Sequence, residues 1–186
     1  MIALRPSVEA DIPAIAAIYD RAVLTGLASF EVDPPGAAEM ARRRAAVLAA
    51  GYPHIVAVEG DERLGYAYAS AYRTRPAYRF TVENSVYVAE AARGRGVGRL
   101  LIERLVSDCT ALGYRQMIAV IGDSGNAASI GLHAACGFVE VGRMTAIGFK
   151  FGRWVDSVLM QRPLGEGQGT PLPVEAAPDL HRRPAG

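Results

Sequence analysis

The chain has little cysteine, almost no lysine and no surplus charge. Cys109 and Cys136 are the only two cysteines in 186 residues. No C-x-x-C pair and no histidine cluster accompanies them, which argues against a zinc site and against a disulfide framework. Neither has the cationic or histidine setting that activates a thiol, so neither reads as a nucleophile. The net charge of +1 makes too weak a field to hold nucleic acid or an anionic membrane, and no basic stripe interleaved with aromatics is present. No apolar run approaches the ~18 residues of a membrane span, and the Met-Ile-Ala-Leu-Arg-Pro start has no apolar signal core. Together these absences lead us to expect a cytoplasmic protein with no nucleic-acid partner, no membrane partner and no metal.

Hydrophobic residues make up 51% of the chain and charged residues 21%, a balance that suits one globular domain able to bury its own core. Residues 165–186 differ: four glycines, four prolines and no aromatic leave too little apolar surface to offset ordering. We expect a domain over 1–164 and a flexible tail over 165–186, with no role for His181.

Within the domain the hydrophobic spacing alternates between periods. A short strand over Ile2–Arg5 precedes Ser7, an expected N-cap, and Val8, Ile12, Ile15, Tyr19 and Val23 follow at helical spacing to Gly26. A second helix spans Ala37–Ala50. Strands at His54–Glu59 and Leu64–Ala71 flank a turn at Gly60–Arg63. Then come a strand at Phe80–Ala89, a helix at Gly98–Leu112, a strand at Gln116–Ile121 and a helix at Asn126–Cys136. Strands near Phe138–Gly142 and Arg153–Gln161 finish the pattern. The order predicts an α/β fold with a mixed sheet, hairpins first and a β-α-β crossover later.

The most informative stretch joins the Phe80–Ala89 strand to the next helix through Arg93-Gly94-Arg95-Gly96-Val97-Gly98-Arg99. Glycines let the backbone curl so that several N–H groups converge, and the helix start adds partial positive charge, which suits phosphate oxygens. An empty tight turn is the alternative. A Walker A loop fails for want of its lysine, and a Rossmann fingerprint fails because Arg99 stands where the third glycine belongs. The spacing that fits is R-x-x-G-x-G, carried by Arg93, Gly96 and Gly98.

With that loop, the sequence resembles the GNAT superfamily of acyl-CoA-dependent N-acetyltransferases. Asn126, Ser129, Leu132, His133, Gly137 and Phe138 are similar to the superfamily's second motif, and the likeness covers about residues 2–163. It implies the GNAT fold, a mostly antiparallel mixed sheet flanked by helices, with acetyl-CoA as co-substrate. It also implies that Arg93 to Arg99 cradle the CoA pyrophosphate, that Val86, Tyr87 and Val88 pair with the pantetheine arm, and that Asn126 and Ser129 belong to the cofactor side. Segments 79–88, 119–122 and 148–156 resemble one branch, the phosphinothricin and methionine sulfone or sulfoximine N-acetyltransferases. That branch acetylates α-amines of small amino-acid analogues and is typically homodimeric.

The chemistry needs a base, because an amino-acid amine is mostly protonated at neutral pH. Glu83 stands mid-strand on one face with Thr81, Ser85 and Tyr87, where burial raises a carboxyl pKa towards a useful value. The alternative is a structural pair with an arginine such as Arg79. The resemblance implies the base. His133 is a candidate to protonate the departing thiolate, to bind substrate, or simply to pack on its helix. Backbone N–H groups near Val88 are candidates to stabilise an oxyanion. Arg73 and Arg75 are candidates to pair with a substrate carboxylate, against the alternative of solvated surface charge. The resemblance adds Phe30 and Glu31 as a substrate segment, with Tyr78 and Lys150, the single lysine, as further lining. Transfer is expected to be direct, in a ternary complex. Two rivals stand beside this reading: an acetyltransferase for protein N-termini or another macromolecule, and a non-catalytic acyl-CoA sensor.

Overall fold

The computed structural model describes residues 1–171. Seven strands form one sheet in the order β1-β2-β3-β4-β5-β7-β6. They are β1 (Ala3–Pro6), β2 (His54–Glu59), β3 (Glu62–Ala71), β4 (Thr81–Val88), β5 (Gln116–Gly122), β6 (Val139–Lys150) and β7 (Arg153–Pro163). The helices are α1 (Ile12–Thr25), α2 (Gly36–Ala49), α3 (Val97–Ala111) and α4 (Ala127–Ala135). All neighbouring strands are antiparallel except β4 and β5, the pair joined through α3. The expected mixed, mostly antiparallel sheet with one crossover is what forms.

Period-two alternation sorts β3 and β4 onto two faces. Tyr66 and Val56 meet Ile12, Ile15, Tyr19 and Val23 of α1 and Met40 of α2. On the other face Ala67, Ala69 and Val82 meet Val97, Leu101, Ile102 and Leu105 of α3. Small side chains there let α3 lie close to the sheet. At Gly65 a Cβ would sit 3.2 Å from Leu101 Cδ1 of α3 and 2.7 Å from the Tyr87 carbonyl oxygen of β4.

Two expectations are corrected. Ser7 caps no helix: α1 begins only after a 3-10 turn at Glu9–Asp11, Val8 is exposed, and Arg44 donates to both Ser7 Oγ and the Ser7 carbonyl. The buried Asp11 carboxylate organises that entry instead. It accepts both terminal nitrogens of Arg5 at 2.7 Å, Arg63 Nε at 2.9 Å and the Val8 N–H at 2.8 Å. Strand β6 runs to Lys150 rather than stopping near Gly142, with breaks in its register against β7 at Glu140/Gly142 and Met144/Gly148. Its exposed side chains and left-handed Ala146 hide the alternation. Asp156 of β7 steadies the second break by accepting the Ala146 N–H at 2.9 Å. At the C-terminal end Leu164 is buried and its N–H donates to the Arg115 carbonyl, and turns continue through Thr170. The rest of the expected tail, with His181, lies outside the described residues.

Candidate active site

Strands β4 and β5 pair in parallel only from Thr81 opposite Gln116 to Asn84 opposite Ala119, although β4 continues to Val88 and β5 to Gly122. Beyond Asn84 and Ala119 they part. The facing edges then carry backbone N–H and C=O groups with no strand between them, an arrangement that can take an extended polar chain as an added strand. A cleft of about 410 Å³ opens there, lined by Ser85, Val86 and Tyr87 from β4, Val120 to Gly122 from β5, and Asn126, Ser129 and His133 around α4.

At the outer end of β4 the glycine loop turns into α3. Gly94 and Gly96 have φ of +74° and +80°, conformations that tax any residue with a Cβ. The first helical donation runs from Leu100 N–H to Gly96 O at 3.1 Å, so the N–H groups opening α3 point out of the helix end. Gly98 is glycine for another reason: a Cβ there would lie 2.8 Å from Leu132 Cδ2 of α4. Arg95 pairs with Glu59 and Arg99 with Glu103, both on the surface, where such pairs hold weakly and exchange readily for another anion. Arg93 is exposed beside them.

Glu83 lies at the closed end of the fork, half-buried and lining the cleft. Burial raises its carboxyl pKa, opposed in part by the Arg73 charge. Among the described residues no hydrogen bond reaches its carboxylate, so its lone pairs face the cleft unspent. The next side chain, Asn84, points to the opposite face. Its Nδ2 donates to the Ile118 carbonyl at 3.1 Å, and its Oδ1 lies 3.1 Å from His133 Nε2. His133 Nδ1 meets the Ser129 carbonyl oxygen at 2.8 Å. Both ring nitrogens therefore face acceptors: the neutral ring satisfies one of them, the cation both. Burial nevertheless pushes the His133 pKa down.

The sequence-based site residues divide. Phe30, Glu31, Glu83, Val86, Tyr87, Asn126, Ser129 and His133 share the cleft. Asn126 Oδ1 is already engaged as the α4 N-cap, accepting the Ser129 N–H at 3.1 Å. Val88 sits by Gly98 where the strand meets the loop. Arg73, Arg75 and Tyr78 do not line the cleft; they lie exposed on the β3–β4 connection, Arg73 over the Tyr72 ring and Tyr78 edge-on to it. Lys150 is buried outside the cleft and donates to the Ser29 carbonyl at 2.8 Å. Asn84 and the Ala119–Gly122 wall entered the sequence reading only as parts of branch-like segments and not as site residues. An amide in mid-strand, where asparagine is disfavoured, was the available signal for Asn84.

The family model described as the acetyltransferase (GNAT) family matches residues 17–138. The chain belongs to the GNAT acetyltransferase family. Among curated GNAT relatives, a phosphinothricin N-acetyltransferase of Alcaligenes faecalis is 58% identical over 160 residues, 86% of this chain and 81% of the relative. An L-methionine sulfoximine/L-methionine sulfone acetyltransferase of Pseudomonas aeruginosa is 41% identical over 172 residues, 90% and 98% of the two chains. A solved GNAT phosphinothricin acetyltransferase from Sinorhizobium meliloti, in complex with AcCoA, superposes with a TM-score of 0.91 at 50% identity, covering 97% of each chain. The GNAT fold expected from the loop and the Asn126–Phe138 motif is thus the fold found, and the branch expected from the three shorter segments is the branch of these relatives.

Neither thiol lines the cleft. Burial pushes Cys109 up to about 12 and raises Cys136 as well, so neither is a thiolate at neutral pH. Cys136→Ala is expected to leave turnover within about twofold of the parent, as for a substitution outside the reacting groups. A loss above about tenfold without loss of fold would count against direct transfer. Among the described residues no cluster of His, Cys, Asp or Glu is placed to hold a metal ion, and no helix is long and apolar enough to cross a membrane.

Proposed function

We propose that the protein transfers the acetyl group of acetyl-CoA to the α-amino group of a small amino acid or analogue of the phosphinothricin, methionine sulfoximine or methionine sulfone type. The observation that carries this reading is the fork itself. It joins a phosphate-ready glycine loop at one end to an unpaired carboxylate, Glu83, at the other, with Phe30 and Glu31 closing the acceptor side. The relatives' printed activities supply the acceptor class.

In this reading the N–H groups of residues 94 to 99 hold the pyrophosphate, and Arg93, Arg95 and Arg99 add charge at its rim. The open edge of Val86 to Val88 takes the pantetheine amides, and a backbone N–H near Val88 receives the negative charge developing on the thioester oxygen. Glu83 accepts a proton from the ammonium, directly or through water, so that the neutral amine can attack. The thiol, with a pKa of ~8.5, leaves without much help. His133 gives it a proton only by giving up its Nε2 contact with Asn84. Arg73, whose charge reaches Glu83, is the cation we assign to a substrate carboxylate, with Arg75 and Tyr78 exposed on the same connection as its helpers. The reading also makes the enzyme a cytoplasmic homodimer with a detoxifying role. Acetylation removes the amine's charge and nucleophile, and exposed Val139, Val141, Ile147, Phe149 and Trp154 on β6 and β7 offer a second copy an apolar band.

The test is thiol release from acetyl-CoA across phosphinothricin, methionine sulfoximine, methionine sulfone, ordinary amino acids and a short peptide. Release with the amino-acid analogues and none with the peptide is expected. Release with the peptide alone would replace the acceptor by a macromolecule. Binding of acetyl-CoA with no release across the panel would make the protein a sensor.

A further inference from the structure

The acceptor wall of the cleft is a short connection between α1 and α2, Leu27 to Glu31, with no regular hydrogen-bond ladder of its own. Side chains hold it from three directions. Ser29 Oγ lies 2.9 Å from the Tyr19 hydroxyl and accepts the Glu31 N–H at 3.2 Å. Arg43 of α2 donates to the Glu31 carboxylate at 2.6 Å. From the far end of β6, Lys150 donates to the Ser29 carbonyl at 2.8 Å. Its ammonium is buried against the Phe151 ring at 5.0 Å, and burial lowers its pKa.

Two glycines meet the same segment. A Cβ on Gly148 would lie 2.7 Å from the Phe30 ring, and one on Gly122 would lie 2.2 Å from the Leu27 carbonyl oxygen and 3.1 Å from the ring. Neither glycine has the left-handed φ that would demand glycine for its own backbone. The space they leave is filled by Phe30. Gly148 and Lys150 both belong to the β6 stretch after its second register break, and neither lines the cleft.

We propose that Gly148 and Lys150 are positioning residues for acceptor recognition, Gly148 as the seat of the Phe30 ring and Lys150 as the strut that holds the Ser29 carbonyl, so that the end of β6 sets the acceptor pocket without touching the acceptor. This rests on the small-amine reading above. The contacts of Gly148 and Lys150 run to Phe30, Ser29 and Phe151 and not to the glycine loop, so the donor half is expected to keep its affinity.

The experiment is a double-mutant cycle with Phe30→Ala, read as kcat/KM for the preferred acceptor, alongside hydrogen exchange of the amides of 27–31. A methyl at Gly148 displaces the ring, and displacements of about 1 Å cost up to ~10²-fold. Gly148→Ala is expected to lower kcat/KM about tenfold or more, mainly through acceptor KM, with acetyl-CoA KM unchanged. In the Phe30→Ala background the same change should cost less than about twofold, the non-additivity of a shared contact. Lys150→Met, which keeps the stem and removes the donor, should raise acceptor KM and speed exchange at Glu31. Equal cost of Gly148→Ala in both backgrounds, or a loss confined to acetyl-CoA KM, overturns the proposal. So does unchanged exchange at 27–31 in Gly148→Ala and Lys150→Met. If no small amine is turned over while exchange quickens as expected, the small-amine reading falls and the positioning of the segment stands.

Discussion

Glu83→Gln is expected to lower kcat with a small amine acceptor by about 10²-fold or more while raising the Tm at pH 7. The two effects come from one cause. Burial lifts the carboxyl pKa of the folded protein, so keeping Glu83 ionised works against folding. The penalty is absent below the unfolded pKa of ~4.3 and complete once pH exceeds the raised folded value. Glutamine keeps the shape, cannot take a proton and carries no such penalty. In the parent enzyme kcat/KM should fall on the acid side with a limb above the ordinary carboxylate range, and the limb should vanish in Glu83→Gln. Unchanged kcat would remove Glu83 from the chemistry; a lower Tm would make its carboxylate a structural partner.

Asp11→Ala is the change expected to cost most in stability. The carboxylate is fully buried, takes both arms of Arg5 together with Arg63, and accepts the Val8 N–H. Its removal leaves two cations and a backbone donor without their acceptor where α1 begins. Breaking a buried pair costs 3–5 kcal/mol; since both arginines keep contact with water, the lower end, about 3 kcal/mol, applies. For a domain of this size that is a Tm fall of about 6–12 °C. The Arg5 guanidinium holds the Asp11 carboxyl well below the usual carboxylate range. Its contribution is therefore full above the unfolded pKa of ~3.9 and is lost as pH falls below that value. Urea midpoints should drop with acid in the parent and more shallowly in Asp11→Ala. A parallel acid slope in the two proteins would place the acid sensitivity elsewhere.

The glycine loop that we assign to the donor was legible in the sequence because its requirements are backbone requirements. Gly94 and Gly96 need left-handed φ, Gly98 needs room beside Leu132, and the helix start must face outward. Such demands leave glycine at fixed spacing, and spacing is what a sequence displays. The acceptor half depends on contacts between distant positions. Asn84 meets His133 across 49 positions and Ile118 across 34; Lys150 meets Ser29 across 121. No local periodicity encodes those meetings, so Lys150 read as a lining residue when its partner is a carbonyl of the loop. The exposed, bulged β6 likewise shows no clean alternation, and its reading stopped near Gly142.

The fork gives the two substrates different exposure to mutation. Where β4 and β5 part, the donor side is offered mostly main-chain atoms, which every amino acid supplies alike, so most side-chain changes there leave recognition of the shared donor alone. On the reading proposed here, the acceptor side is walled by Phe30 and Glu31, and the end of β6 braces them from behind. Descendants of such a chain can exchange one amine for another by drift in a handful of side chains while the acetyl source stays fixed, and a laboratory library aimed at new acceptors belongs at the α1–α2 segment and the end of β6.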